Sequence, residues 1–238
     1  MVLAQPSTPP ASALSESSNG ARPGLAALRP DGAPSSSYGC AVTTAAAPRP
    51  APGPRVLADV VATSRVRDVL LVVGGAGLVA LASQIAIPLG FTPVPLSLGT
   101  FAVLVVGAAL GPARATASLA LFLLAGVAGV GWFADGHAGW QFASFGYILG
   151  YVLAAALVGR LASRGADRTP LATVGLMLAG GAVVYAAGVP WLMAFLGVDL
   201  PTALGLGVVP FLIGDAIKAV VAAVLLPGTW ALVRRFRP

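Results

Sequence analysis

From Val69 onward the chain is a series of apolar stretches divided by short polar breaks, and its cations fall in every second break. The stretches run at about Val69–Leu89, Leu96–Leu110, Thr116–Gly131, Phe145–Leu161, Leu171–Leu196 and Leu204–Val233. A straight membrane span needs ~20 apolar residues, with a range of roughly 17–25. The second and third stretches are at or below that limit, which is tolerated where neighbouring helices or a cavity satisfy the backbone. Pro190 and Pro210 predict kinks or breaks in the fifth and sixth stretches. The expected fold is therefore an all-α integral membrane bundle of six transmembrane helices.

The arginines orient it. Arg22, Arg29, Arg49, Arg55, Arg65 and Arg67 precede the first stretch, and Arg114 lies between the second and third. Arg160, Arg164 and Arg168 divide the fourth from the fifth, and Arg234, Arg235 and Arg237 follow the sixth. The remaining breaks hold no Arg or Lys, only Asp135 and Asp199. The positive-inside rule then places both termini in the cytoplasm and the chain in the cytoplasmic membrane as a multi-pass protein.

Charge scarcity excludes other classes. Only 9% of residues are charged and 57% are hydrophobic, whereas a soluble domain carries about 25% charged residues. The sequence pI of about 10.4 does not make a nucleic-acid binder, because such a face needs clustered cations and these are dispersed. One Cys (Cys40) and one His (His137) supply neither an internal disulfide nor a His/Cys metal cage, and no cofactor is implied. Lys218, the one lysine, follows Ala216-Ile217, so there is no phosphate-binding Gly-Lys-Ser/Thr loop.

Residues 1–55 hold ten of the twenty prolines and no long apolar run. Such a segment cannot offset its ordering entropy, and it lacks the apolar core of a secretory signal. It is expected to be a disordered Ala/Pro/Ser-rich tail, with residues 56–238 forming the membrane domain.

Two ionisable residues fall well inside an apolar stretch: Asp215 and Lys218, in Pro210-Phe211-Leu212-Ile213-Gly214-Asp215-Ala216-Ile217-Lys218. A lone charge at the bilayer centre costs ~2.5–3.5 kcal/mol on insertion scales. Three residues apart on a helix, the two side chains share a face, so the pair points into the bundle. Lys218 precedes Arg234 by sixteen residues, or ~24 Å at ~1.5 Å per residue, which sets it in the outer third of the membrane. The pair is either a ligand site or an ion pair locking the last helix; buried pairs are weak stability devices, which favours the ligand site.

The expected outer loops suit a ligand. Three prolines in Pro88-Leu89-Gly90-Phe91-Thr92-Pro93-Val94-Pro95 stiffen the first and present Phe91 and Thr92. The second, Trp132-Phe133-Ala134-Asp135-Gly136-His137-Ala138-Gly139-Trp140-Gln141-Phe142, is aromatic around a glycine-rich tip; it either seals a ligand or forms an interfacial belt. His137 reads as a polar loop residue. Ala76 and Ala80 in the first stretch make a small-xxx-small face that packs inside the bundle or docks a partner.

The chain resembles the biotin-specific S components (BioY type) of energy-coupling factor transporters over about residues 65–235. The resemblance lies in Gln84-Ile85-x-Ile87-Pro88-Leu89-x-Phe91-Thr92-Pro93-Val94-Pro95, Thr100-Phe101-Ala102-Val103-Leu104, Gly107-Ala108-x-Leu110-Gly111-Pro112, Gly146-Tyr147-x-Leu149-Gly150-Tyr151 and Pro210-Phe211-x-x-Gly214-Asp215-x-x-Lys218. It implies high-affinity biotin binding and uptake, with no chemistry, by a protein that assembles with a transmembrane coupling protein and two ATPase subunits. It also implies that Asp215 and Lys218 bind biotin through charge-assisted hydrogen bonds. Phe91 and Thr92 then join from the outer loop, and Gln84, Tyr147, Tyr151 and Tyr185 add polar contacts, with Gln84 and Tyr147 foremost. Ala76 and Ala80 become the candidate docking face. Two departures stand out: family members usually carry Thr and Gln where this chain has Ser97 and Gly99, and the usual Gly-Pro-Thr-Gly-Gly before the fourth span reads Gln141-Phe142-Ala143-Ser144-Phe145-Gly146. The alternatives are an S component for another vitamin or related small molecule, and an intramembrane enzyme using Asp215. The enzyme lacks a second carboxylate, a metal set or a nucleophile–base pair.

Overall fold

The computed structural model describes residues 55–60 and 64–236; the tail expected over residues 1–55 lies outside them, apart from Arg55. The chain forms α1 (Arg65–Gln84), β1 (Ala86–Ile87), β2 (Leu96–Ser97), α2 (Gly99–Leu110), α3 (Pro112–Val127), α4 (Phe145–Ala162), α5 (Pro170–Leu196), α6 (Leu200–Gly207) and α7 (Leu212–Phe236), with 3-10 turns at Leu57–Val60, Ala134–Gly136 and Val209–Phe211. Among the described residues, four stretches are long and apolar enough to cross a membrane: α1, α4, α5 and Leu200–Phe236. The helices α2 and α3 are shorter, ~18 and ~24 Å at ~1.5 Å per residue.

Local chemistry sets the boundaries. Ser64 caps α1, its hydroxyl accepting from the Arg67 N–H at 3.1 Å, so the helix starts in the polar Arg65–Asp68 turn, upstream of the apolar run. It ends at Gln84 rather than near Leu89, because Pro88, Pro93 and Pro95 disfavour helix and the chain turns into a short antiparallel pair, Ala86 against Ser97 and Ile87 against Leu96. Gly111, at φ 79°, reverses the chain between α2 and α3, and Pro112 opens α3, where a missing N–H costs nothing. At Pro210 the expected break occurs: α6 stops at Gly207 and a 3-10 turn leads into α7. Pro190 and Pro227 lie inside unbroken helical runs.

Burial is inverted relative to a water-soluble fold. Large apolar side chains face outward on α1 and α7: Leu70 at 66%, Leu81 at 71%, Ile213 at 77% and Val224 at 70% exposure. Such faces belong in lipid, as in a multi-pass membrane protein. At the centre, α4 packs on α2, α3 and α5, while α1 packs on α2 and α3 and α7 on α5. Ala76 and Ala80 are buried in this core, at 1% and 8% exposure, and neighbouring Gly75 lies against Ser118 of α3. Their face is therefore used inside the chain, which corrects the expectation that it docks a partner.

At the arginine-bearing end, side-chain charges tie segments together. Arg114 bridges Asp59 at 2.9 Å and Asp68 at 3.0 Å. Burial opposes ionisation of Asp59, but the Arg114 hydrogen bond and charge and the Val56 amide outweigh it and hold its pKa below the ordinary value. Asp167, in the α4–α5 loop, is fully buried and accepts from the Trp230 indole on α7. Its other oxygen has no hydrogen-bond partner among the described residues. Desolvation dominates there and pushes its pKa up, against the Trp230 bond and the Arg168 charge.

Candidate ligand-binding site

A cavity lies toward the other end of the bundle, between the first turns of α2, α4 and α7, the end of α1 and the middle of α5. Its lining includes Ser83, Ser97, Thr100, Phe122, Phe133, Tyr147, Tyr151, Tyr185, Phe211, Asp215 and Lys218. The 3-10 turn at Pro210 starts α7 at Leu212 and so puts Asp215 in its first helical turn, where the helix dipole favours a carboxylate.

The Lys218 ammonium donates to Asp215 Oδ1 at 3.2 Å, and the Tyr185 hydroxyl of α5 donates to Oδ2. Both side chains keep some access to the cavity, at 25% exposure for Asp215 and 16% for Lys218. A carboxylate has about four lone-pair sites and an ammonium three donors, so each retains capacity for a ligand. The pair is neutral in sum and presents an acceptor beside a donor.

A second polar group is uncharged. Thr100 Oγ1 and the Tyr151 hydroxyl lie 3.2 Å apart, with Ser97 and Ser83 beside them in the wall. Gly99 makes room for this group: a Cβ there would sit 2.6 Å from Ser83 Oγ and 3.2 Å from Ser97 Oγ. Tyr147 lies edge-on to Tyr185, with centroids 6.3 Å apart. Its hydroxyl donates to the Gly207 carbonyl at 2.9 Å, and its ring fills space left by Gly188.

Of the residues expected at the site, Asp215, Lys218, Tyr147, Tyr151 and Tyr185 share this lining and Gln84, Phe91 and Thr92 do not. Gln84 donates from its carboxamide to the Trp132 and Phe133 carbonyls, each at 2.9 Å. Phe91 stands 65% exposed at the hairpin tip. Thr92 donates to the Leu206 carbonyl at 2.7 Å, tying the hairpin to α6. His137 is an exposed loop residue against the Ala134 carbonyl, at 2.8 Å. Residues not singled out beforehand are Ser83, Thr100, Phe122, Phe133 and Phe211. Phe211 carried a signal, four residues before Asp215 and so on the same helical face; small hydroxyls in apolar helices carry none.

Residues 55–235 match the BioY family. The chain belongs to that family. It is 34% identical over 151 residues to the biotin transporter BioY of Thermotoga maritima, covering 62% of this chain and 86% of that one. It is 32% identical to the probable biotin transporter BioY of Pyrococcus horikoshii, covering 68% of this chain and 94% of that one. The crystal structure of the S-component for biotin from an ECF-type ABC transporter superposes with a TM-score of 0.61 at 24% identity, covering 74% of this chain and 95% of that one. That likeness establishes the fold, and the family membership rests on the sequence.

Proposed function

We propose that this chain binds biotin from outside the cell and carries it across the cytoplasmic membrane, as the substrate-binding component of an energy-coupling factor transporter. The observation that carries the reading is the Asp215–Lys218 pair set in an aromatic-walled cavity of a BioY-family chain. Biotin has a cyclic urea, which places N–H donors beside a carbonyl acceptor, and the pair places an acceptor beside a donor. Asp215 accepts from a ureido N–H and Lys218 donates to the ureido carbonyl. Phe122, Phe133 and Phe211 cover the thioether ring and alkyl chain. The same chemistry leaves the ligand unaltered, so the protein is a binder and carrier rather than an enzyme.

Six spans with both termini in the cytoplasm fit this role, α6, the 3-10 turn and α7 together counting as the sixth. The sidedness is supported by the described arginines, which flank the starts of α1 and α3 and the ends of α4 and α7 at one end of the bundle, while the cavity lining lies toward the other. Energy comes from a coupling protein and ATPase subunits, since the chain has no phosphate-binding loop.

Asp215→Asn and Lys218→Ala test the site. Each removes a charge-assisted bond and leaves its partner's charge unmatched. Biotin affinity measured in detergent should fall by at least ~100-fold in each, at about 1.4 kcal/mol per tenfold, with the helical spectrum unchanged. Biotinol, which lacks the carboxylate, should keep most of the affinity of biotin if Lys218 meets the ureido group; a loss as large as that of Lys218→Ala would assign Lys218 to the carboxylate instead.

A further inference from the structure

Gln84 is the last residue of α1 and lies outside the cavity lining. A glutamine carboxamide has two N–H donors. Here that nitrogen reaches two consecutive carbonyls of the α3–α4 loop, those of Trp132 and Phe133, both at 2.9 Å. Phe133, whose own carbonyl is one of the two, is fully buried and forms part of the cavity wall. Its ring lies edge-on to Phe122, with centroids 5.2 Å apart, and fills the space where a Cβ on Gly126 would sit.

The rest of the loop is irregular. It turns through positive φ at Gly129, Asp135, Gly136 and Gly139 and has no helical or strand ladder beyond one 3-10 turn. Segments of this kind open at low free-energy cost. The hairpin that supplies the facing wall is stiffer: it has a strand pair, Pro88, Pro93 and Pro95, and the Thr92 bond to α6. The α3–α4 loop is also tied by the Trp132 indole to the Phe122 carbonyl, by Trp191 of α5 to the Phe142 carbonyl and by the Gly139 amide to the Gly126 carbonyl, but at Phe133, where it forms the cavity wall, the side chain from another element that holds its backbone is Gln84.

We propose that Gln84 is a latch: a positioning residue that fixes Phe133 over the cavity and sets the rate of ligand association and release without touching the ligand. The ligand named in the test rests on the biotin reading, whereas the latch is a property of the free protein. A lid held shut by two neutral hydrogen bonds should open about tenfold more often when both are removed.

The test uses the full chain in detergent with Gln84→Ala, Gln84→Glu and Gln84→Lys. Hydrogen exchange of residues 128–142 is followed without ligand, and biotin association and release by stopped flow. In the Ala and Glu variants, which donate nothing to the two carbonyls, exchange should quicken about tenfold. Association and release should rise together, leaving Kd within about threefold, and Gln84→Lys, whose ammonium can donate to both carbonyls, should restore the wild-type rates. Faster release with unchanged association is the mark of a lost ligand contact and would overturn the proposal. Unchanged exchange, or no rescue by Lys, would overturn it too. Should the Gln84 variants fail to fold, Gly126→Ala displaces the Phe133 ring from its other side; the same paired rise is expected, and unaltered rates would count against the latch. A wild-type protein that binds no biotin would refute the functional reading alone, because the exchange measurement still decides the latch.

Discussion

The two ends of the bundle are held together by different chemistry. At the arginine-bearing end, Arg114 joins Asp59 and Asp68, and Asp167 takes the Trp230 indole of α7. At the opposite end, beside the Asp215 carboxylate that takes the Tyr185 hydroxyl and the Lys218 ammonium, most ties are neutral side chains donating to backbone carbonyls: Gln84 to Trp132 and Phe133, Thr92 to Leu206, Tyr147 to Gly207, Trp132 to Phe122 and Trp191 to Phe142. A neutral hydrogen bond contributes about 1 kcal/mol net, whereas leaving a fully buried polar group such as the Asp167 carboxyl without its partner costs about 1–3 kcal/mol or more. One end is thus an anchor. The other is a set of separable ties around the cavity, which suits a site that must open to admit a ligand.

Substitutions at the two ends should differ in kind. Trp230→Phe has the largest expected effect on stability. It leaves both oxygens of the fully buried Asp167 without a hydrogen-bond donor, so the melting free energy should drop by about 2–3 kcal/mol, read by thermal unfolding in detergent. Biotin affinity should hold within a few-fold; a large loss would show that the ends are coupled.

Arg114→Ala comes next, at about 1 kcal/mol. Its two carboxylate partners are 32% and 40% exposed, and water compensates much of what is lost. Adding salt should shrink the difference between variant and wild type.

A pH series separates the anchor's two acids. The folded-state pKa of Asp167 is raised, so the folded state binds this proton more tightly than the unfolded state. Its contribution to stability is full below the unfolded pKa and is lost as pH rises through the folded value. Asp59 is lowered, so its contribution is present above its unfolded pKa and lost as pH falls. Asp167→Asn should remove the loss on the alkaline side of the ordinary carboxylate range and leave the acid-side loss in place, as read by unfolding curves from pH 3 to 8.

Thr92→Val has the smallest expected effect. It keeps side-chain volume and deletes the donor to Leu206, for at most about 1 kcal/mol. Hydrogen exchange should quicken in residues 88–95 and stay unchanged at the arginine end; protection lost at both ends would break the contrast.

Much of this architecture was legible in the sequence because lipid imposes it. Apolar runs located α4 and α5 to within a residue or two, and the arginines marked one end. Hydropathy misplaced α1, since it cannot see a polar first turn capped by Ser64, nor tell an apolar helix from an apolar strand at Ala86–Ile87. The break expected at Pro210 occurs, as a 3-10 turn between α6 and α7, whereas Pro190 sits in an unbroken helical run. Asp215 and Lys218 stood out because charge in an apolar run has few explanations. Gln84 and Thr92 misled for a physical reason: a polar group near the end of a span can serve a ligand or a backbone carbonyl equally well. Here the carbonyls lie 48, 49 and 114 residues away. Ala76 and Ala80 misled likewise, because a small-residue face serves internal and external packing alike.

The central claim is that the Asp215–Lys218 pair holds biotin. Calorimetric titration of biotin into the purified wild type, Asp215→Asn and Lys218→Ala tests it most directly. The account predicts tight binding by the wild type and a loss of at least ~100-fold in each variant. Wild-type affinity in both variants, or a wild type that ignores biotin and binds another vitamin, would contradict it.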